Sequence, residues 1–398
     1  MPRRAPGMND AALAEAGPGR RRRLALLAIF ASVLSFSISL GGLVPWMALS
    51  LEARGTEEAV IGIVCAANPF GVMLAAPLVP RLLRRIGTAD AILGGIFVSV
   101  VTIALLPLFD SVAGWLVLRL VSGLAASVPW VVTETWINVV AGDRSRARVI
   151  ALYGTIMAVG FTTGPVVLTV TGAEGPAAVL CFAALNASAL VPIFLVRRLA
   201  PIVSHAESPR LSGIALAMPA ILAAAFLSGA VDTAFFGFLP IWGMRAGLDE
   251  TFAVTLLSVF VAGNVLLQLP LGWLADVLGY RPVMLVCGLA SILGPILTLE
   301  TIELPTVLCV VMFVWGGMLW GTYTIGLAAL GQRFRNGPLA AANAAFVMVY
   351  TLANITGPPL AGLAIAAWDP HGLIVLMLGF AVAFTGLVLW RSVTRRDG

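Results

Sequence analysis

Lysine is missing from the 398 residues, so all 24 basic side chains are arginine. Histidine occurs only as His205, in a linker, and His371, at the edge of an apolar run, so no histidine is placed to relay protons inside a membrane. The four cysteines, Cys65, Cys181, Cys287 and Cys309, all fall within apolar runs and form no close pair. Such thiols act as small hydrophobic packing groups, which argues against redox chemistry and a metal site. There is no G-x-x-x-x-G-K-S/T loop and no connection long enough to hold a further domain, so nothing resembles a nucleotide-binding site. Charged residues make up only 11% of the chain, less than half of the roughly 25% usual in soluble domains. A soluble globular protein is thereby excluded, and neither a cofactor nor a metal is expected.

Apolar residues, in contrast, reach 60% and mean hydropathy is +1.01, which makes lipid the natural solvent for most of the chain. Runs of at least about 18 apolar residues, enough for a helix to cross hydrocarbon, occur at twelve places. Numbered in order, spans 1 to 12 are expected near 24–49, 58–79, 91–109, 113–140, 149–172, 177–196, 213–243, 251–275, 283–300, 305–331, 339–367 and 371–390. The first begins after Arg20 to Arg23 and resembles the start of a secretory signal, but its apolar run continues to Leu49, so it reads as a retained helix. The pattern predicts an all-α membrane protein. It divides into a basic tail (1–23), a first six-helix bundle (24–197), a linker (198–212), a second six-helix bundle (213–390) and a short tail (391–398).

Cytoplasmic connections of membrane proteins retain positive charge. Twenty-one arginines lie in the two tails and in alternate connections, the opposite connections hold only Arg54 and Arg245, and Arg119 remains inside span 4. Both termini are therefore expected in the cytoplasm, with the chain in a bacterial inner membrane. The net charge of +5 reflects this topology and is not read as nucleic-acid binding.

The two halves also repeat one another. Gly55-Thr56-Glu57-Glu58, Gly87 and Gly164-Pro165 recur as Gly247-Leu248-Asp249-Glu250, Gly279 and Gly357-Pro358, at offsets of 192, 192 and 193 residues (247 − 55, 279 − 87, 357 − 164). Two similar bundles leave a seam between them, and such seams are where transporters bind cargo.

Between spans 8 and 9 runs Gly272-Trp273-Leu274-Ala275-Asp276-Val277-Leu278-Gly279-Tyr280-Arg281-Pro282. Glycines permit a tight turn between antiparallel helices, Asp276 and Arg281 can make charge-assisted bonds to neighbouring helix ends, and Pro282 suits a first helical turn. The segment resembles the signature loop of the major facilitator superfamily, G-x-L-A-D-x-x-G-x-R. That resemblance implies two six-helix bundles related by a pseudo-twofold axis along the membrane normal. It also implies that Gly272, Asp276, Gly279 and Arg281 form a latch whose bonds differ between two access states. The first-half loop departs from the pattern, with Pro80 in place of the first glycine and Arg84 in place of the aspartate. A latch there needs another acid, for which Glu134 is the candidate partner of Arg84 or Arg85.

Arg119-Leu120-Val121-Ser122-Gly123 resembles the superfamily's span-4 R-x-x-x-G motif. In spans 5 and 11, Gly160-x-x-x-Gly164-Pro165 and Gly357-Pro358-Pro359-x-x-Gly362 allow close helix approach and kinking. They resemble its antiporter-associated G-P motif, although the trailing glycine pair is missing after Pro165. Antiport is slightly favoured over symport on this ground, and plain helix packing is the alternative. Trp130-Val131-Val132 with Glu134, behind Arg119, looks most like the little-characterised YcaD-like bacterial branch, which names no cargo.

Arg119, Gly123, Ser127, Trp130 and Glu134 fall within an arc of about 80° on span 4. Arg119 and Glu134 cannot pair, because fifteen residues of helix cover roughly 22 Å. An intramembrane ion is by default a functional candidate; for Arg119 the alternative is snorkelling to the near surface. Asp232 is the only ionisable group well inside span 7, and a carboxyl facing a cavity partly away from water could carry a coupled proton. Glu134 is the second candidate for that role. Trp320 and Tyr323 share a face of span 10 with Gly316; Asn343, Tyr350 and Asn354 share one of span 11 with Gly357; Asn264 and Gln268 lie one turn apart on span 8. Aromatic surface with a few polar groups suits a small-molecule pocket, and inter-helix bonding is the plainer use of the same residues.

These features point to a secondary active transporter that moves a small molecule by alternating access; with no nucleotide-binding site, its energy source is expected to be an ion gradient, with protons and efflux by antiport favoured, or the substrate's own gradient. A lipid or lysolipid flippase on the same fold is the alternative. A non-transporting sensor and a membrane-embedded enzyme fit less well, because Arg119, Glu134 and Asp232 are the only deep ionisable groups and do not make an enzyme's cluster. A monomer is expected, with the lipid bilayer, protons and a small molecule as its partners.

Overall fold

A computed structural model describes residues 18–140, 146–200, 218–333 and 337–394. Every regular element among them is helical. Twelve helices are long and apolar enough to cross a membrane: Gly19–Ala53, Glu58–Ile86, Thr88–Leu108, Val112–Thr133, Leu152–Thr171, Ala177–Leu195, Pro219–Arg245, Glu250–Leu278, Tyr280–Glu300, Pro305–Leu330, Ala342–Ala367 and Gly372–Arg391. These are spans 1 to 12 in order. The side of the membrane on which span 1 begins is called the near side below, and the other the far side.

Several ends differ from expectation for local reasons. Span 1 starts earlier because Arg20 to Arg23 continue the helix instead of capping it. Span 2 runs past 79 through a short 3₁₀ turn, Ala76–Leu78, with Pro77 inside it. It then continues as Val79–Ile86, an amphipathic piece that buries Val79 and Leu83 and carries Arg84 and Arg85 in its last turn. Span 6 is broken into Ala177–Ser188 and Leu190–Leu195. Pro192 has no N–H to offer the Ser188 carbonyl four residues back, and the Ala189 carbonyl at the break instead accepts a bond from the Ser32 hydroxyl at 3.1 Å.

The repeat seen in the sequence is also present in the packing. Gly87 and Gly279 both have φ near +85°, a conformation that strains any residue with a side chain, and each ends one helix and starts the next. A Cβ placed on Gly71 of span 2 would sit 2.5 Å from the Leu120 carbonyl of span 4. One placed on Gly263 of span 8, 192 residues later, would sit 1.8 Å from the Phe313 carbonyl of span 10, itself 193 residues beyond Leu120. Both halves thus bring the same pair of helices into backbone contact at the same small residue.

The chain forms two compact units. One contains the chain up to Leu40, Phe70–Gly160 and Val179 onward to the linker. Its core joins Ile29, Val33, Ile92, Ile96, Val132, Trp136 and Ile193 from spans 1, 3 and 6 and the span-4 helix. The other contains Gly41–Pro69, Phe161–Ala178 and the whole second half. There, spans 7 and 11 and spans 8 and 10 make the most extensive pairings. Phe235, Phe260 and Trp315 stack with ring centroids 4.8 to 5.4 Å apart in the centre of that unit.

Candidate functional site

A connected polar group within the spans of the second unit is built on span 7, where Asp232 and Thr233 stand next to one another among apolar neighbours. The Tyr350 hydroxyl of span 11 donates to the Asp232 carboxylate. One turn further along span 11, the Asn354 carbonyl accepts from the Thr233 hydroxyl, and the Asn354 amide donates to the Tyr350 backbone carbonyl at 3.1 Å. Tyr323 of span 10 closes the group, its ring 5.1 Å from that of Tyr350 and 4.9 Å from that of Phe346. Four residues selected separately from the sequence, Asp232, Tyr323, Tyr350 and Asn354, therefore meet at one place. Thr233 was not selected; its only signal was a hydroxyl beside an intramembrane acid. A bond from span 7 to span 10, between the buried hydroxyls of Ser228 and Thr322 at 3.0 Å, was likewise missed.

The approach that brings Asp232 to Tyr350 depends on small residues. A Cβ on Gly229 would lie 2.4 Å from the Tyr350 carbonyl, and one on Gly357 would lie 2.4 Å from the Ala230 carbonyl. Gly357 and Pro358 are both buried, and Pro358 and Pro359 lie inside the span-11 helix. In the first half, Gly160 meets Ser37 of span 1, with a Cβ position 2.5 Å from the serine Cβ, and Gly164 and Pro165 are buried within the span-5 helix. The G-P segments thus serve helix contact in both halves.

Other expected site residues are placed elsewhere. Trp320 is buried with its ring 5.4 Å from Phe260, as part of the aromatic centre. Asn343 is exposed. The Gln268 amide donates to the Asn264 carbonyl on its own helix. Arg119 is only 2% exposed, so its guanidinium is enclosed by protein and does not snorkel to the surface. Trp130 is half-buried, with Phe36 of span 1 edge-on at 5.9 Å. The side chain of Glu134 lies outside the described residues. In the near-side loops Arg84, Arg85, Asp276 and Arg281 are exposed, and the Arg281 guanidinium lies 5.9 Å from the Tyr280 ring; Gly272 is half-buried.

The strongest electrostatic feature was not anticipated. At the far end of span 7, Arg245 binds three carboxylates, Glu52 at 2.6 Å, Glu58 at 2.7 Å and Asp369 at 3.1 Å. Glu52 ends span 1, Glu58 opens span 2, and Asp369 follows span 11. Beside this cluster spans 2 and 11 touch through backbone. A Cβ on Gly62 would lie 2.4 Å from the Pro358 carbonyl, and one on Gly362 would lie 2.2 Å from the Glu58 carbonyl. The far ends of first-half helices are therefore clamped to the second half within one compact unit. The sequence marked Arg245 as one of two far-side arginines but gave no sign of its three partners, which come from three separate segments.

Among the described residues no group of three or more His, Cys, Asp or Glu side chains is arranged to hold a metal.

Comparison with known proteins gives one consistent picture. The family model of the Major Facilitator Superfamily matches residues 25–259 and 221–398. The uncharacterized MFS-type transporter YfkF of Bacillus subtilis is 25% identical over 343 residues, covering 85% of this chain and 87% of its own. The uncharacterized MFS-type transporter YcaD of Escherichia coli is 22% identical over 331 residues, with 83% and 86% covered. Among solved structures, the nucleoside transporter NupG matches with a TM-score of 0.71 at 14% identity, covering 93% of this chain and 98% of that one. A D-xylose-proton symporter matches with a TM-score of 0.70 at 15% identity, covering 92% and 96%.

Proposed function

The chain belongs to the Major Facilitator Superfamily, whose model matches it from residue 25 to its end, and from that premise we propose that this multi-pass membrane transporter is a proton-coupled carrier of a small molecule. It works in a bacterial inner membrane with the arginine-rich near side in the cytoplasm, in accord with the distribution of positive charge. Transport proceeds by alternating access, with antiport in the direction of efflux.

The observation that carries the coupling is the bond from the Tyr350 hydroxyl to Asp232. A carboxyl deep in a span costs a few kcal/mol, which makes it a functional candidate by default. Here it is tied to the helix that also holds Asn354 and lies close to Tyr323. A proton arriving on Asp232 alters what the Tyr350 hydroxyl donates to, and so alters the contact between spans 7 and 11. Aromatic faces and amide groups beside that acid give a small molecule both stacking surface and hydrogen-bond partners. A proton moving down about 100 mV supplies roughly 2.3 kcal/mol, enough for about a fiftyfold concentration ratio at 1.4 kcal/mol per decade.

The Arg245 cluster and the contact of Gly62 with Pro358 support a state in which the far side is shut. The test is to find a cargo by thermal shift across a chemically broad library at two pH values, and then measure its flux in liposomes that contain a trapped pH dye. Cargo flux by the wild type should move the dye signal, and Asp232→Asn should lose both the dye signal and the pH dependence of transport. A pH profile unchanged by Asp232→Asn rules out the carboxyl as the proton carrier.

A further inference from the structure

The interior of the first unit contains a cavity that the proposed transport path does not use. It leaves about 40 Å³ open to the centre of a water molecule, the space of about three such probes or of one six-membered ring. Val33 and Phe36 of span 1, Ile92 and Ile96 of span 3, and Met157 of span 5 give it an apolar wall. Trp130 stands beside Phe36 with its ring edge-on. No charged side chain is among the described residues that line it.

Two buried polar side chains also face this space. Asn186 of span 6 is 2% exposed and Thr133 of span 4 is 6% exposed, and neither side chain makes a hydrogen bond within the described residues. Neither is among the polar atoms sealed in the packing without a partner, so both open onto the cavity, and a buried polar group left to face a space calls for an occupant there. The Ser32 hydroxyl, also on the wall, shares its one proton between the Ala28 and Ala189 carbonyls at 2.8 and 3.1 Å and has lone pairs left to accept. Ala189 lines the cavity where span 6 breaks. Irregular backbone at membrane depth is tolerated where it lines a cavity, and broken helices are where transporters place bound molecules.

Water alone does not fit this lining. A water needs two to four polar partners, and among the described lining residues only Asn186, Thr133, Ser32 and the half-buried Tyr153 have polar side chains, the remainder of the wall being aromatic, aliphatic or proline. A charged molecule finds no counter-ion among the described lining residues and would carry a heavy desolvation cost. We propose that this cavity is a binding site for an uncharged, single-ring molecule bearing a hydrogen-bond donor and acceptor on one edge, as a carboxamide does. Asn186 pairs with the amide edge, the Thr133 hydroxyl takes the remaining donor or acceptor, and the ring lies among Phe36, Trp130, Ile96 and Met157. The site is built from residues of the first unit, shares none with the Asp232 group and does not depend on proton coupling.

The full chain in lipid nanodiscs, titrated with benzamide and followed by calorimetry and ligand-observed magnetic resonance, tests the assignment. Benzamide should bind saturably at one site per chain, and benzoate, its charged analogue, at least tenfold more weakly. Asn186→Leu, close in shape but apolar, should weaken benzamide at least tenfold while leaving the ligand-free protein as stable to heat as the wild type or more so. Should that variant fail to fold, Thr133→Val carries the same expectation of weaker benzamide binding. No saturable binding to the wild type at millimolar benzamide, as a cavity filled by water would give, overturns the proposal. Equal affinity in the wild type and the folded variant does so too.

Discussion

Asp232 shows how much of a site one residue can announce and how much it cannot. A lone carboxyl in an apolar span is visible in the sequence as a functional candidate. Its partner is not, because Tyr350 lies 118 residues away and meets it only once spans 7 and 11 take their observed register. Tyr350→Phe removes the hydroxyl that Asp232 accepts from and keeps the ring against Tyr323. It should lower unfolding stability by about 1 to 3 kcal/mol, the cost of leaving the buried carboxyl without its donor. The loss should largely vanish when Asp232→Asn is already present, a coupling that a double-mutant cycle in detergent reads directly. Additive losses would mean that the bond contributes little. Arg119 stood out by the same reasoning as Asp232, and its burial removes the surface-reaching alternative. Asn343 shows the limit of angular counting. It shares a helical face with Tyr350 and Asn354 but lies about two turns from Tyr350, where span 11 is exposed.

The helices themselves were almost wholly legible, since apolar run length decides a span and glycine or polar turns decide its ends. What escaped were local breaks inside spans. Pro192 splits span 6, whereas Pro165 and Pro240 lie within continuous helices, and sequence alone does not say which carbonyls find substitute donors. Close helix contact was legible in part, because glycines at Gly160 and Gly357 marked it. Gly357→Val places side-chain atoms where the Ala230 carbonyl now sits and should cost about 1–3 kcal/mol through overpacking of spans 7 and 11. Gly386→Ala, at a position open to its surroundings, should stay within about 0.5 kcal/mol of the wild type. Chemical denaturation in detergent compares the two, and equal effects would argue that the spans adapt without strain.

For the molecule as a whole, the duplicated plan follows from the 192-residue offset and is repeated in the matched contacts of Gly71 and Gly263. The far-side clamp was not legible. A single arginine meeting three acids from separate segments depends on tertiary placement, which loop sequences do not encode at short range. One arginine among three carboxylates leaves excess negative charge, so the clamp holds by geometry and a little net attraction, and losing its centre should free it. The alternating access proposed above requires this clamp to open during the cycle. The most direct measurement uses a variant with the four cysteines replaced and spin labels at Glu57 and Met244, both exposed near the clamp, read by pulsed electron spin resonance in nanodiscs. The wild type should give one narrow short distance, and Arg245→Ala or Gly62→Leu should add a second, longer population. The same single distance in all three proteins would contradict a far side that opens and closes.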